Sequence, residues 1–501
     1  MNFSIFPEMR ARGTPTATAV IDRRCRLDWR ELDHRAGQFA QLLQSAGAGV
    51  GDRVAMYLPN RVELVIAFLG ALKSGVIAVP LNWRLQGPDL ARLVSHCAPC
   101  CLVTTTGRAA DPALAAARRV LAVDEDAAAG SFWQAIDAQP GGLRSRPCQA
   151  DEIANLLYTS GTTATPKAAI HTHGMRVAVA GAMADCFDLS SADVGLAISP
   201  IFHTSGMSVM SNTLFAGCPL VLLDRWDVAE LVAAIERERV TFMHVIGTVV
   251  VDIAQAPAAL FDRDLSSMRF AWGGGHSLDR ETFDAYERRI GGVLLQGYSR
   301  TEGGLAYNPL DRARRRLDAN GFPNRNSSDL AIVTPGTGQT VPAGATGEIV
   351  VRGDGVSPGY WDGQYQRMPR LYDGGWQPTG DLGYFDDEGS LHFLGRQDHM
   401  IKTGGENVYP AEVEAVLLAM PEVADAVVVG LPDSRLGQRV AALVVPQAGR
   451  VTAADIDRAC RAALGGFKIP RTIAFTDALP KLGSQKVDLE ACRRLLAAAA
   501  G

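Results

Sequence analysis

From Tyr158 to Lys167 the chain reads Tyr-Thr-Ser-Gly-Thr-Thr-Ala-Thr-Pro-Lys. Thr159, Ser160, Thr162 and Thr163 surround Gly161, and Lys167 closes the run. Such a loop can aim backbone N–H groups and several hydroxyls at one anion, while the lysine adds a point charge. A polyphosphate is the anion these groups suit. The common P-loop needs Gly-Lys-Ser/Thr opening a helix. Here Pro166 precedes the lysine, which disfavours a helix starting at that point.

A second group follows the apolar run Val293–Leu295. Gln296, Gly297 and Tyr298 lead through Ser299 to Thr301 and Glu302. In an open α/β sheet, ligands bind where strands end. A carboxylate there suits magnesium held against phosphate oxygens, and a tyrosine offers a flat face to a purine. Upstream, Gly273, Gly274 and Gly275 follow Trp272 and precede His276. Three glycines after a strand let a ligand lie against bare backbone. Asp381 follows Thr379 and Gly380. A tight turn there would hold its carboxylate at a loop tip, able to take two vicinal hydroxyls. Lys481 and Lys486 flank Gly483 in a polar loop that by itself reads as solvated surface. A lone histidine such as His203 is more often structural than catalytic, and His171 and His173 read as local structure.

These groups need a rigid frame. Leu32, Ala36, Phe39, Ala40 and Leu43 form a helical stripe. Arg53–Leu58 reads as a strand, 60–72 as a helix and 76–80 as a strand. The alternation returns with strands at 217–223, 242–246, 270–272 and 293–296, and helices at 228–238 and 279–289. Strand alternating with helix predicts parallel sheets covered by helices on both faces. From 331 to 376 short strands alternate with Gly/Pro turns, which predicts a β-rich subdomain. Residues 395–402 read as a linker, and the basic run 311–316 as a solvated face. Beyond the linker, strands and helices alternate over the length of one small domain.

The totals agree with a large globular protein. A chain of 501 residues exceeds one compact core, so two or more domains are expected. A net charge of −5 gives no basic field for nucleic acid. No apolar run reaches the roughly eighteen residues that a membrane span needs, and the first residues carry no secretory pattern. The nine cysteines are scattered. Cys97, Cys100 and Cys101 form one cluster without a second at zinc-ligand spacing, so they read as inert thiols of a reducing cytoplasm.

The order Tyr-Thr-Ser-Gly-Thr-Thr-x-x-Pro-Lys resembles the phosphate loop of the adenylate-forming enzymes, which include acyl-CoA synthetases. Ala164 and Ala168 stand where that family often has glycine. Tyr298-Ser299-x-Thr301-Glu302 resembles the family's Tyr-Gly-x-Thr-Glu, with Ser299 in place of glycine. The span from Thr379-Gly380-Asp381 through Arg396 and Asp398 to Lys402, Gly404 and Gly405 resembles the ribose site and hinge of acyl-CoA synthetases. Pro480 to Lys486 resembles the loop of the family's C-terminal catalytic lysine, with Gln485 where that loop has glycine. The resemblance runs from about Thr16 to Arg493.

It implies the following. The fold is α/β: a large N-terminal domain of stacked mixed αβαβα sheets with a β-rich subdomain (residues 1–395), and a small mobile α+β lid (396–501). The activity is ATP-dependent activation of a small carboxylic acid to an acyl-adenylate, then thioester formation with coenzyme A. Lys486, Glu302, Thr162 and His203 would be catalytic, with Glu302 holding Mg²⁺. Thr159, Ser160, Gly161, Thr163, Lys167 and Thr301 would meet phosphate. Gly274, Gly275, Gln296, Gly297, Tyr298 and Ser299 would form the adenine slot. Asp381 and Arg396 would hold ribose or phosphate. Lys402, Gly404 and Gly405 would face the thiol after rotation about Asp398. Phe202, His203, Met207, His244, Gly247, Trp272 and Gly273 would line the acid pocket, whose apolar types suit an aryl or medium acyl group. A separate acyl carrier protein is the alternative acceptor. A luciferase-type monooxygenase and a nucleotide-binding module without activity are the remaining alternatives. No nucleic acid and no membrane span are expected, and a homodimer is left open.

Overall fold

The computed structural model describes residues 1–501 except 160–166, 275–279, 364, 368–371, 448–450, 482–486 and 500–501. The chain divides into two compact units. One comprises Met1–Leu330 with Val351–Arg370, the other Ala331–Val350 with Leu371–Gly501.

The first unit is built on two sheets. In the nine-stranded sheet, Phe270–Gly274 lies between Phe242–Ile246 and Val293–Ser299, parallel to both. In the eight-stranded sheet, Ile153–Tyr158 lies between Ile77–Pro80 and Ala168–Thr172, parallel to the former and antiparallel to the latter. Both sheets are therefore mixed: parallel through the middle, and antiparallel at both edges of the nine-stranded sheet and at one edge of the eight-stranded one.

The layering follows from which side chains share a core. One cluster joins Val54, Met56 and Ala78 of the eight-stranded sheet to Ala197 and Leu220 of the nine-stranded one, through helix residues such as Phe39, Phe68 and Met210. A second covers the outer face of the nine-stranded sheet with Leu231, Ile253 and Phe283. A third covers the outer face of the other sheet with Leu90 and Val94. Helix, sheet, helix, sheet, helix is the αβαβα stack expected above. The middle helix, Val62–Ser74, is buried at every residue, as a helix apolar on all sides must be. It ends at Gly75 with φ +82, where a left-handed residue stops the helix. The preceding helix, Trp29–Ser45, starts at a reciprocal capping box between Asp28 and Glu31.

Most of a four-stranded sheet, in the order Asp329–Val333, Gly347–Arg352, Gln377–Phe385, Leu391–Arg396, falls in the second unit. That unit also holds a five-stranded sheet centred on Gly437–Pro446, which pairs antiparallel with Val423–Asp433 and parallel with Thr472–Phe475. Val413, Ile456 and Cys460 cover one face of that sheet, and Cys492 and Leu496 the other.

Two expectations change. The linker read at 395–402 carries regular structure: strand Leu391–Arg396 leads through the short turn Gln397–His399 into strand Ile401–Thr403. The basic run 311–316 is not wholly solvated either. Arg315 is half-buried, ion-paired with Glu287, and its guanidinium carbon lies 4.9 Å from the Phe283 ring centre. All nine cysteines are free, and burial pushes the Cys97 and Cys101 thiols up to about 12, so both are protonated. Among the described residues, no helix is long and apolar enough to cross a membrane.

Candidate functional site

The hydroxyl-rich loop joins two antiparallel strands, with Tyr158 opposite Ala168. Its neck is tied shut: the Thr159 amide donates to the Lys167 carbonyl at 2.9 Å, and the Thr159 hydroxyl donates to the same oxygen at 3.3 Å. Ser160, Gly161, Thr162 and Thr163 lie outside the described residues. No helix follows Lys167, in keeping with the expectation from Pro166; strand Ala168–Thr172 does. Ala168 needs no glycine freedom, since it sits fully buried within that strand.

Lys167 places its Nζ 5.9 Å from the centre of the Tyr360 ring. Tyr360 arrives from strand Gly359–Trp361, which pairs antiparallel with Ala168–Thr172 so that Tyr360 faces Ala169 in register. Its hydroxyl donates to a Glu302 carboxylate oxygen. The tail of the phosphate-type loop and the acidic turn therefore meet on one phenol, although 135 positions of sequence separate Lys167 from Glu302 (302 − 167).

Glu302 sits in the turn between Val293–Ser299 and its antiparallel partner Leu305–Tyr307. Gly303 and Gly304 take φ +98 and +88, a left-handed pair that lets the chain reverse. The turn is held from several sides. The Ser357 amide donates to the Glu302 carbonyl at 2.7 Å. His171 Nε2 lies 2.7 Å from the Thr301 carbonyl. The Thr204 hydroxyl donates to the Thr301 hydroxyl at 3.3 Å. Arg300 Nη2 lies 3.5 Å from the second carboxylate oxygen of Glu302, whose side chain is only 13% exposed. Sequence reasoning missed Tyr360, Arg300, Ser357 and Thr204. Nothing near Tyr360 in sequence advertises it, because its role comes from strand pairing.

Gly273 and Gly274 end strand Phe270–Gly274, with Gly273 between Val245 and Gln296. Gly275 lies outside the described residues. A Cβ on Gly273 would fall 2.2 Å from the Val245 carbonyl oxygen. Gly273→Ala is therefore expected to force the strands apart and cost about 1–3 kcal/mol. Calorimetry would read this as a lowered Tm; an unchanged Tm would contradict the close contact. Gly297 packs under the Tyr307 ring, where a Cβ would come within 2.2 Å. Gln296 is half-buried, Tyr298 is buried, and the exposed Ser299 pairs regularly with Leu305, so the strand needs no glycine there.

Phe202 and His203 stand side by side with ring centres 4.4 Å apart, just before helix Thr204–Ala216, whose Met207 is buried. His244 meets the Trp272 ring edge-on at 5.3 Å. Burial pulls the His244 imidazole down to about 4, so it is neutral near pH 7. Trp272 is fully enclosed among Phe187, Phe242 and Phe270, and Gly247 opens helix Gly247–Gln255.

In the second unit, Asp381 is not at a loop tip. It lies inside strand Gln377–Phe385 and is 3% exposed. The Thr-Gly pair that reads as a turn is an irregularity within the strand. Gly380 takes φ +71, and the Thr379 hydroxyl accepts the Asp381 amide at 3.0 Å. Across the ladder, Arg396 Nη1 lies 3.3 Å from the Asp381 carboxylate, and Arg396 Nε donates to Asp398 at 3.4 Å. Lys402 precedes the hairpin turn of Gly404 and Gly405, which have φ +61 and +90. Lys486 lies outside the described residues.

Among the described residues, no cluster of three or more His, Cys, Asp or Glu side chains could cage a metal. What Glu302 offers is one oxygen ligand beside hydroxyls, a set that fits magnesium arriving with a nucleotide and keeping its waters.

A family model described as AMP-binding enzyme matches residues 7–361, and one described as AMP-binding enzyme C-terminal domain matches 412–486. The chain is 35% identical over 486 residues to a feruloyl-CoA synthase of Amycolatopsis sp, covering 96% of each. It is 32% identical over 488 residues to a 2-succinylbenzoate–CoA ligase of Bacillus licheniformis, covering 96% of this chain and 97% of the relative. Among solved structures, ATP-bound MatB from Rhodopseudomonas palustris superposes with TM-score 0.89 at 29% identity over 99% of both chains. On these matches and on the stack that carries the site, the chain belongs to the AMP-binding enzyme family, in the acyl-CoA synthetase branch of the adenylate-forming superfamily.

Proposed function

We propose that this chain activates a carboxylic acid with ATP and passes the acyl group to coenzyme A, releasing AMP and pyrophosphate. The observation that carries the reading is the meeting of Lys167 and Glu302 on Tyr360. A cation from a hydroxyl-rich loop and a single carboxylate beside it suit one polyphosphate. The names of its relatives attach the acyl group to coenzyme A.

In the first step a carboxylate oxygen attacks the α-phosphorus, and the bond to pyrophosphate breaks. No protein nucleophile is needed. Lys167, Thr159, Ser160, Gly161, Thr162 and Thr163 hold the β- and γ-phosphates, and Thr301 meets the α-phosphate. Lys486 offsets charge as it develops on the oxygens. Magnesium, when bound at Glu302, supplies a further positive charge against the phosphates. Tyr298 stacks on adenine between Gly274–Gly275 and Gln296–Ser299, and Asp381 with Arg396 takes the ribose. The acid lies along Phe202, His203, Met207, His244, Gly247 and Gly273, with Trp272 behind. These apolar and neutral groups favour an aryl or medium acyl chain over a dicarboxylate. In the second step the coenzyme A sulfur attacks the acyl carbonyl, its proton goes to water, and the carbon–oxygen bond to AMP breaks.

We assign residues 396–501 as a mobile lid that turns about Asp398, withdrawing Lys486 and presenting Lys402, Gly404 and Gly405 to the thiol. Asp398→Pro fixes φ near −65° and opposes that turn. Adenylate formation should survive, while thioester formation falls on the order of a hundredfold for want of alignment. Rapid-quench measurement of the two half-reactions checks this. Equal rates in both proteins would remove the hinge. Nine unpaired thiols suit a reducing compartment, so we place the chain in the cytoplasm.

The test is a panel of acids offered with ATP, Mg²⁺ and either coenzyme A or a holo-carrier protein. The expected result is acid-dependent pyrophosphate and a coenzyme A thioester. A thioester on the carrier alone would overturn the acceptor, and oxygen uptake would indicate luciferase-type chemistry. ATP binding without acid-dependent pyrophosphate exchange would leave only a nucleotide-binding module.

A further inference from the structure

Behind the turn that carries Glu302 lies a buried cation whose hydrogen-bond partners among the described residues are all neutral. Arg176, on helix His173–Cys186, is 5% exposed. Its Nε donates to Asn155 Oδ1 at 2.8 Å, Nη1 to the Ser211 hydroxyl at 3.3 Å, and Nη2 to His171 Nδ1. Burying a guanidinium without a carboxylate is costly, so packing alone is a poor account of it. Burial pulls its pKa down to about 9, which still leaves it charged near neutral pH.

A guanidinium can only donate. His171 Nδ1 is therefore an acceptor, and the ring proton sits on Nε2. That nitrogen lies 2.7 Å from the Thr301 carbonyl, so it donates there. His171 is 2% exposed, and its burial and the neighbouring guanidinium keep the ring neutral. The hydrogen bonds thus run one way: Arg176 fixes the tautomer, and the tautomer fixes the peptide that leads into Glu302. The same strand, Ala168–Thr172, directly follows Lys167. Four residues of strand, about 13 Å, connect the lysine to the histidine that pins the acidic turn. On the far side the Ser357 amide holds the Glu302 carbonyl.

We propose that Arg176 and His171 are positioning residues that hold the Thr301–Glu302 peptide through a fixed imidazole tautomer, so that the Glu302 carboxylate is presented ready for the metal–nucleotide complex. This rests on the ligase reading given above. Supporting groups one step behind a metal ligand typically change affinity or activity about 10–100-fold when removed.

The experiment uses the full chain with ¹⁵N-labelled histidine, together with Arg176→Met, Arg176→Lys and His171→Gln. Ring-nitrogen shifts should show a neutral histidine in the Nε2–H form that disappears in His171→Gln. In Arg176→Met that signal should move to a mixture of tautomers. The Mg²⁺ concentration for half-maximal acid-dependent pyrophosphate exchange should rise about tenfold in Arg176→Met, with KM for the acid little changed. Arg176→Lys, which keeps a charged donor, should recover most of the loss. A wild-type Nδ1–H form would overturn the relay. So would an Arg176→Met protein with unchanged magnesium requirement and turnover. Should Arg176→Met fail to fold, the wild-type ring measurement and Arg176→Lys still decide. A wild-type protein with the Nε2–H form but no acid-dependent exchange would support the relay and overturn the ligase reading instead.

Discussion

Lys486→Ala is expected to slow adenylate formation by about 10²–10³-fold, the usual cost of losing one preorganised group that meets developing charge. As the acid attacks, negative charge builds on oxygens shared between carboxylate and α-phosphate. An ammonium held there lowers the transition state more than the ground state, so the loss falls on the rate and not on substrate affinity. On the proposed roles, the second half-reaction does not use this group. Thioester formation from a supplied acyl-adenylate and coenzyme A should therefore stay close to the wild-type rate. Single-turnover measurement of each half-reaction separates the two. An equal fall in both would remove Lys486 from its assigned role.

Glu302→Gln should lower adenylate formation by roughly a hundredfold. The amide keeps the shape of the side chain and still offers an oxygen to the Tyr360 hydroxyl, which donates to the wild-type carboxylate. What is lost is the negative charge. That charge faces Arg300 at 3.5 Å on one side and the expected metal–nucleotide complex on the other. The variant should fold with a Tm near that of the wild type, need more Mg²⁺ for half-maximal exchange, and keep its KM for the acid. A magnesium titration of pyrophosphate exchange reads this directly. Wild-type turnover at the wild-type magnesium requirement would show that Glu302 holds no metal.

Much of the frame was legible in the chain. Helix Val228–Glu238 and strand Phe242–Ile246 begin and end where periodicity places them. Strands buried on both faces leave unbroken apolar runs, and the helices between them leave a period near 3.6. The site was legible only where its residues are close in sequence. Thr301 and Glu302 stand out beside Tyr298, but Tyr360 does not, because it reaches Glu302 through the pairing of Gly359–Trp361 with Ala168–Thr172. Arg176 carries no signal in the sequence, and His171 reads as local structure, for the same reason. Asp381 was misread as a loop-tip residue because a Thr-Gly pair looks alike in a turn and in a strand irregularity. The pairing of Asp381 with Arg396 and the hydrogen bonds of Thr379 to Ile349 and Asp381 distinguish the two. Residues 395–402 read as a linker because short strands rich in charged groups lack an apolar alternation. Arg315 was misread as solvated because its partners, Glu287 and Phe283, come from a helix two strands earlier in the chain.

The account depends on the acid's own oxygen becoming bonded to the α-phosphorus before the thiol arrives. The most direct measurement starts from an acid labelled with ¹⁸O in both carboxylate oxygens, converted with ATP and coenzyme A, followed by mass spectrometry of the nucleotide. One labelled oxygen should appear in AMP for each thioester formed. AMP without label, or label in inorganic phosphate with ADP as the nucleotide product, would contradict the mixed anhydride on which the assigned roles depend.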